Sequence, residues 1–374
     1  MHSNLIFISC VLAVAYAYTG LGLEVGLGIG HNIFTRSSGS GYFYKFDRTC
    51  NTVNILNDHA RVVGSMNLPF KPASASCHSD GLTIVSGARD GAGILASVDF
   101  DRGNILNSIA APFGSMIHTI HENVIYMGMA NGENTCFTRY NLHTLSPITG
   151  SVCYSGRARI AGVLGNSKSM IIHSSSVHGF GMLNMETFTS RPSIAETRGM
   201  PVHVGDNYVV GLDNNVFTRY EISMRGAVAS TRQISLGSRA GLGLGLATQS
   251  AHNGAVHGRR NNIVALNRDI CNPQMLNVFA PTTTGDLGMH RINCDDFTMA
   301  NDPMSISTSL LGSMDIRHDS NFAMNTFTSG NTIMMCNRMG NMYSLNLSKG
   351  HLYSNGHVQT TALGTLEGRM TCRR

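Results

Sequence analysis

The chain has 374 residues, of which 13% are charged, and its formal net charge at pH 7 is +5. It contains 41 glycines, no tryptophan and only four lysines, so arginine carries nearly all of the positive charge. Nucleic-acid-binding proteins concentrate such charge in a patch or along a helix. Here the arginines are scattered, and the sequence therefore predicts no DNA- or RNA-binding function.

The chain begins with a short apolar segment, Leu5 to Ala17, which ends in the small-x-small pattern Ala15-Tyr16-Ala17. It is shorter than the about 20 apolar residues that a spanning helix needs. It predicts a secretory signal peptide over residues 1–17 and a single secreted, extracellular domain over residues 18–374. A retained membrane anchor is the alternative. No later segment is apolar over the length of a membrane span, so we expect none.

A repeated motif predicts the fold. Phe-Thr-Arg-Tyr occurs at Phe137 and again at Phe217, 80 residues later, which is two units of about 40. Weaker copies consist of an alternating strand that ends in a large apolar residue and is followed by a polar turn. These apolar residues are, in chain order, Phe46, Phe100, Tyr140, Leu183, Tyr220, Ile292 and Leu345.

Units of about 40–50 residues with several short strands are typical of β-propeller blades. The sequence therefore predicts an all-β fold, a β-propeller of about seven four-stranded blades. Six or eight blades, a pair of β-sandwiches and a β-solenoid are the alternatives. The 72-residue gap between Tyr220 and Ile292 is interpreted as one blade with an insertion, and an eighth blade is the competing interpretation.

Near the start of each repeat, a strand runs into a polar turn, and the residue before that turn is histidine in five repeats and glycine in two. These residues are His31, His78, His121, Gly165, Gly205, His252 and His318. On inner strands of a propeller they would surround one mouth of the central channel. One interpretation is that the imidazoles bond to neighbouring blades as a packing device. The other is that His78, His121, His252 and His318 bind a transition metal or act as acid and base.

Eight cysteines remain once Cys10 leaves with the signal peptide, and an even number favours disulfides in an oxidising compartment. We expect sequential pairing, so that each bridge falls within one repeat. The predicted pairs are Cys50–Cys77, Cys136–Cys153, Cys271–Cys294 and Cys336–Cys372. A zinc site is disfavoured because Cys-x-x-Cys does not occur. Asn346-Leu347-Ser348 is the one acceptor sequence for N-glycosylation, at a strand end.

These features predict an extracellular binding or structural protein that recognises a protein partner or a glycan. An acidic glycan is the expected class, since arginine pairs bidentately with carboxylate and sulfate. The alternative is an enzyme with a histidine-lined site at the channel mouth. In this arrangement alone, the chain resembles carotenoid-cleaving oxygenases, which hold iron with four histidines on a propeller axis. It is similar in the same limited way to polysaccharide lyases that are propellers. For the lyase, His118, His203 and Arg317 lie near the same turns.

Overall fold

The structure is a computed structural model. It describes residues 42–46, 51–57, 61–77, 82–100, 102–174, 176–213, 215–236, 265–268, 274–281, 287–299, 304–306, 324–329, 332–337, 341–346, 351–357 and 366–369. Across these residues the chain is built of strands, with a single turn of 3-10 helix at Gly165–Ser167. None of the described residues belongs to a helix long and apolar enough to cross a membrane.

The strands follow one another in groups of about four. The first groups are β1 (Tyr42–Phe46), β2 (Thr52–Leu56) and β3 (Val62–Asn67); then β4 (Lys71–Cys77), β5 (Thr83–Arg89), β6 (Ala92–Asp99) and β7 (Asn104–Ala111); then β8 (Met116–His121), β9 (Val124–Asn131), β10 (Asn134–Asn141) and β11 (Pro147–Ser155). Next come β12 (Ala158–Leu164), β13 (Ser169–Ser174), β14 (Phe180–Asn184) and β15 (Thr189–Ile194), followed by β16 (Met200–Val204), β17 (Tyr208–Asp213), β18 (Val216–Ile222) and β19 (Val228–Ser235). The last are β20 (Ala265–Arg268), β21 (Met275–Pro281), β22 (Leu287–Asn293), β23 (Thr298–Met299) and β24 (Met304–Ile306); β25 (Met324–Ser329), β26 (Thr332–Asn337), β27 (Asn341–Asn346) and β28 (His351–His357); and β29 (Leu366–Arg369).

These strands form seven antiparallel sheets, six with four strands and one with five. Blade 1 has the order β29-β1-β2-β3, so the last described strand takes the innermost place and closes the ring. Blades 2 to 5 are β4–β7, β8–β11, β12–β15 and β16–β19; blade 6 is β20–β24 and blade 7 is β25–β28. The fold is a seven-bladed β-propeller. This confirms the predicted class.

The hydrophobic core lies between adjacent blades rather than within one of them. One buried cluster joins Val210 and Phe217 of blade 5 to Leu276 and Val278 of blade 6. The second strand of a blade is therefore covered on both faces, which is why β17 reads as a continuous apolar run. The outermost strand β19 is mostly exposed and correspondingly polar.

Four inner strands carry a bulge at the same place. The pairing register shifts between Pro72 and Ser74, Ile117 and Thr119, Ile160 and Gly162, and Pro201 and His203. A bulge inserts one unpaired residue and redirects the side chains that follow it. The strand phase at the channel therefore changes part-way along each inner strand, and simple alternation does not describe it.

The turn from the third to the fourth strand is also repeated. The side-chain Oδ1 atoms of Asn141, Asn184 and Asn293 each accept backbone N–H bonds from residues two or three positions later. Each turn ends in an apolar residue with positive φ, for example Phe188 at 52° and Phe297 at 56°. Both rings are buried, and this burial offsets the cost of the left-handed conformation.

The apolar residues used to define the repeat fall mainly on third strands, or directly after one. Tyr140, Leu183, Tyr220, Ile292 and Leu345 are within β10, β14, β18, β22 and β27, and Phe100 directly follows β6. Phe46 differs, because it ends β1, the second strand of its blade. The reason is ring closure, since β29 occupies the inner position that the N-terminal strand would otherwise take.

One predicted disulfide is confirmed. Cys136 and Cys153 are bonded across the paired strands β10 and β11, within blade 3. Each of the other three predicted pairs includes a residue outside the described part of the chain, namely Cys50, Cys271 or Cys372. Those pairings stay predictions, as do the signal peptide over residues 1–17 and the domain boundary at residue 18.

Candidate functional site

A cavity of about 590 Å³ opens at the end of the channel where the inner strands β8, β12 and β16 finish. Its wall comes from these strands, from the β16–β17 turn and from the neighbouring blade 6. Its polar lining residues are His118, Thr119, His121, His203, Asp206, Asn207, Tyr208, Arg219, Gln274 and Asp295. The cavity is therefore mainly polar and is shared between four blades.

A chain of hydrogen bonds crosses from blade 5 to blade 6 at this wall. The Tyr208 hydroxyl donates to Asp295 Oδ1 at 2.6 Å, and His203 Nε2 lies 3.2 Å from the same hydroxyl oxygen. Because the hydroxyl proton goes to the carboxylate, His203 must donate from Nε2. Burial, and after it the hydrogen bond to Asp295, hold the pKa of Tyr208 far above its usual range. The hydroxyl therefore remains a donor at every physiological pH.

Arg219 holds this chain of groups in place. Its guanidinium lies 3.7 Å from the centre of the Tyr208 ring and donates to the backbone carbonyls of Cys294 and Asp295. Its Nε is 2.8 Å from Glu221 Oε1. The positive charge is thus neutralised inside blade 5, and the arginine fixes the turn that carries Asp295.

The two glycines of the predicted histidine pattern have a steric explanation. A Cβ on Gly205 would lie 2.4 Å from Tyr208 Cε1 and Cζ, and a Cβ on Gly165 would lie 2.8 Å from Asp206 Oδ1. A side chain at either position would therefore displace a group of the cavity wall. The glycines leave room for Tyr208 and Asp206.

His118 is a packing residue between blades 3 and 4. Its Nδ1 accepts the backbone N–H of Ile160 at 3.4 Å, and its ring packs edge-on against Phe137. Burial, followed by the charge of Arg159, lowers the pKa of His118 to about 3. The imidazole is therefore neutral and acts as an acceptor for the neighbouring blade. His118 was predicted only as part of a lyase site, and that role stays a prediction.

Of the four histidines predicted to form a metal site, the structure describes only His121. It ends β8, lines the cavity and has a side chain that is 35% exposed. His78, His252 and His318 lie outside the described residues, and so do His31 and Arg317. Among the residues that are described, no three of His, Cys, Asp and Glu are grouped to hold a metal ion. The metal site stays a prediction.

The structure brings together residues that the sequence left apart. His203 was noted near its turn, but Tyr208, Arg219 and Asp295 were not assigned to a site. The signal for Arg219 was available, because it is the arginine of the repeated Phe-Thr-Arg-Tyr motif. The approach of Asp295 to Tyr208 depends on how blades 5 and 6 pack, which the sequence alone does not show.

No protein-family model and no curated protein match the chain. Solved structures do resemble it. A functionally unknown protein from Desulfotomaculum acetoxidans shares 9% identity with a TM-score of 0.56, over 88% of this chain and 99% of that one. A putative 6-phosphogluconolactonase from Bacteroides uniformis shares 12% identity with a TM-score of 0.55, over 88% and 100%. A protein from Lactobacillus plantarum shares 13% identity with a TM-score of 0.53, over 88% and 99%. At these identities the likeness shows the fold alone.

Proposed function

We propose that this chain is an extracellular binding protein whose ligand occupies the cavity at the channel mouth. The volume, about 590 Å³, lies within the range of about 300–1,000 Å³ that is usual for small-molecule sites. The Cys136–Cys153 disulfide supports an oxidising compartment, in agreement with the signal-like segment at the N-terminus.

The observation that carries this proposal is the fixed position of the Tyr208 hydroxyl between His203 and Asp295. Tyr208 is 3% exposed and is held by a hydrogen bond, by stacking on His203 and by the Arg219 guanidinium. Polar groups fixed before the ligand arrives lower the entropic cost of binding. A buried network of this kind, at the wall of a cavity, is a preorganised recognition site.

The test is a binding screen of the purified protein against glycans and secreted proteins, repeated with Tyr208→Phe. We expect this variant to bind more weakly, because Asp295 and His203 lose the hydroxyl that fixes them at the cavity wall. Tyr154→Phe is the matched control, since the Tyr154 hydroxyl donates to the carbonyl of Met182 at 2.9 Å, and neither residue lines the cavity. Equal affinity in both variants would place the ligand elsewhere.

An acid–base enzyme is the second candidate, favoured by the contacts of the Tyr208 hydroxyl with a carboxylate and an imidazole. A metal-dependent oxygenase or a polysaccharide lyase would use the same mouth. Elemental analysis of untagged protein, with a His121→Ala, His252→Ala variant, tests the metal version. About one transition metal per chain, lost in the variant, would support it. Turnover of a screened saccharide, abolished by Tyr208→Phe, would support the lyase.

A further inference from the structure

We propose that the cavity selects an uncharged, hydroxyl-rich ligand of the saccharide class, that Asp295 accepts a hydroxyl of this ligand, and that Arg219 is the positioning residue for Asp295. This inference rests on the proposed function and names the ligand class of the same site. It departs from the acidic glycan expected from the arginine content.

The charges of the described wall favour an uncharged ligand. Two carboxylates, Asp206 and Asp295, line the cavity. Arg219 is the one arginine of the described wall, and Glu221 already pairs with it at 2.8 Å. At the described part of the wall, a uronate or sulfate would therefore meet two carboxylates of like charge, and the arginine beside them is already paired with Glu221. Carboxylates are strong acceptors for hydroxyl groups, and the amides of Asn207 and Gln274 add both donors and acceptors.

Asp295 is fixed on several sides, which makes it a specific acceptor. Its Oδ1 accepts the Tyr208 hydroxyl, its backbone N–H donates to Asn293 Oδ1 at 3.0 Å, and its carbonyl accepts from Arg219. Only part of the carboxylate capacity is used, because an ionised carboxylate can accept about four hydrogen bonds. The remaining capacity is available to a ligand hydroxyl at a defined place on the wall.

The repeated motif supplies an internal comparison for Arg219. In blade 3, Arg139 occupies the same motif position, stacks on Phe188 at 4.1 Å and donates to the carbonyl of Met185 in blade 4. Both arginines therefore link their own blade to the turn between the third and fourth strands of the next blade. Only Arg219 fixes a turn that contributes to the cavity.

The side chains around the two arginines explain this difference. The strand registers place Val124 of blade 3 where blade 5 has Tyr208. In the blade 4 turn, Glu186 stands where blade 6 has Asp295, and it pairs with the exposed Lys168 at 2.6 Å. The contact between blades 3 and 4 thus has the arginine, but it lacks the tyrosine hydroxyl, and its carboxylate is already paired with a lysine. Of the two contacts compared, only the one between blades 5 and 6 carries the proposed recognition site, although the scaffold is repeated.

The experiment uses isothermal titration of the full-length secreted protein with disaccharides in matched pairs. Galactobiose is compared with digalacturonate, which replaces each hydroxymethyl group by a carboxylate, and chitobiose with its cationic, deacetylated form. The variants are Asp295→Asn, Arg219→Lys and Arg139→Lys. The arginine variants remove equivalent inter-blade bonds, so a general loss of stability affects both and is measured separately by urea unfolding.

We expect the neutral member of at least one pair to bind best. Asp295→Asn should weaken it about tenfold to hundredfold, as for loss of a charged acceptor. Arg219→Lys should weaken it about tenfold while Arg139→Lys leaves the affinity unchanged. Preference for an acidic or a cationic disaccharide, or equal effects of the two arginine variants, would overturn the inference and leave the proposed binding function intact. If no disaccharide binds, the inference is overturned; binding of a protein partner that is lost in Tyr208→Phe would still support the proposed function.

Discussion

Substituting Gly205 by alanine should destabilise the cavity wall around Tyr208. The added Cβ would lie 2.4 Å from two ring atoms of Tyr208 and 2.9 Å from its hydroxyl oxygen. Real Cβ contacts are never that short, so the ring must move. Its movement is opposed by Asp295 at 2.6 Å and by Arg219 at 3.7 Å from the ring centre.

The magnitude follows from these contacts. Overpacking a buried site costs about 1–3 kcal/mol, and loss of the Tyr208–Asp295 bond adds about 1.5–3 kcal/mol. We therefore expect Gly205→Ala to lower the free energy of unfolding by about 2.5–6 kcal/mol, measured by urea titration. The same variant should bind ligand more weakly, because Asp295 loses the hydroxyl that orients it.

Gly64→Ala is the matched control, since a Cβ on this strand glycine would meet only Ile55, at 3.6 Å or more. This variant should be neutral or slightly stabilising, because alanine restricts the unfolded chain. A second comparison places Gly205→Ala in a Tyr208→Ala background, where the ring is absent. If the cost of Gly205→Ala is as large there as in the wild type, the clash with Tyr208 is not its cause and the reasoning is refuted.

Three further predictions concern other parts of the chain. Replacing Cys136 and Cys153 together by serine should cost about 3 kcal/mol in urea unfolding, because the bridge closes a loop with a sequence separation of 17; an unchanged midpoint would show that the bridge does not restrict the unfolded chain. The pKa of His118 is about 3 in the folded state and 6.5 in the unfolded state, so the unfolded chain is protonated first as the pH falls. The free energy of unfolding should therefore decrease as the pH falls from about 6.5 towards 3, and His118→Gln should make this decrease smaller. Asn346 ends β27 and pairs with His351, five residues later, as Asn184 pairs with Thr189. If Asn346 is glycosylated, glycosidase treatment should lower the apparent mass of the secreted wild-type protein but leave that of the Asn346→Gln variant unchanged.

The approximate blade count could be predicted because each repeat buries a large apolar residue of its third strand against a neighbouring blade, so such residues recur along the sequence. Phe137 and Phe217 are both completely buried at equivalent third-strand positions, which is why their motif is so similar. The closing blade could not be placed in the same way. Its inner strand is β29, and the pairing of Tyr42 with Arg369 is a contact between distant parts of the chain.

The histidine pattern was informative about backbone position but not about side-chain direction. His121 and the two pattern glycines do mark the ends of inner strands, as expected. The bulge earlier in each strand, however, shifts the phase by one residue, and a shift of one residue moves side chains to the opposite face. His118 stands at that bulge and bonds to the next blade, whereas His203 directly follows the bulge of β16 and faces Tyr208.

The cavity also shows why a binding site is difficult to recognise in the sequence of a repeat protein. Arg139 and Arg219 have the same motif and the same structural task, so the repeat marks a contact between blades and not a site. The proposed site lies where neighbours of that contact depart from the repeat, at Tyr208 and Asp295. These departures look like ordinary variation until the register is known. In a propeller, residues that break the repeat beside a repeated inter-blade contact are therefore better candidates for ligand binding than residues that follow the repeat.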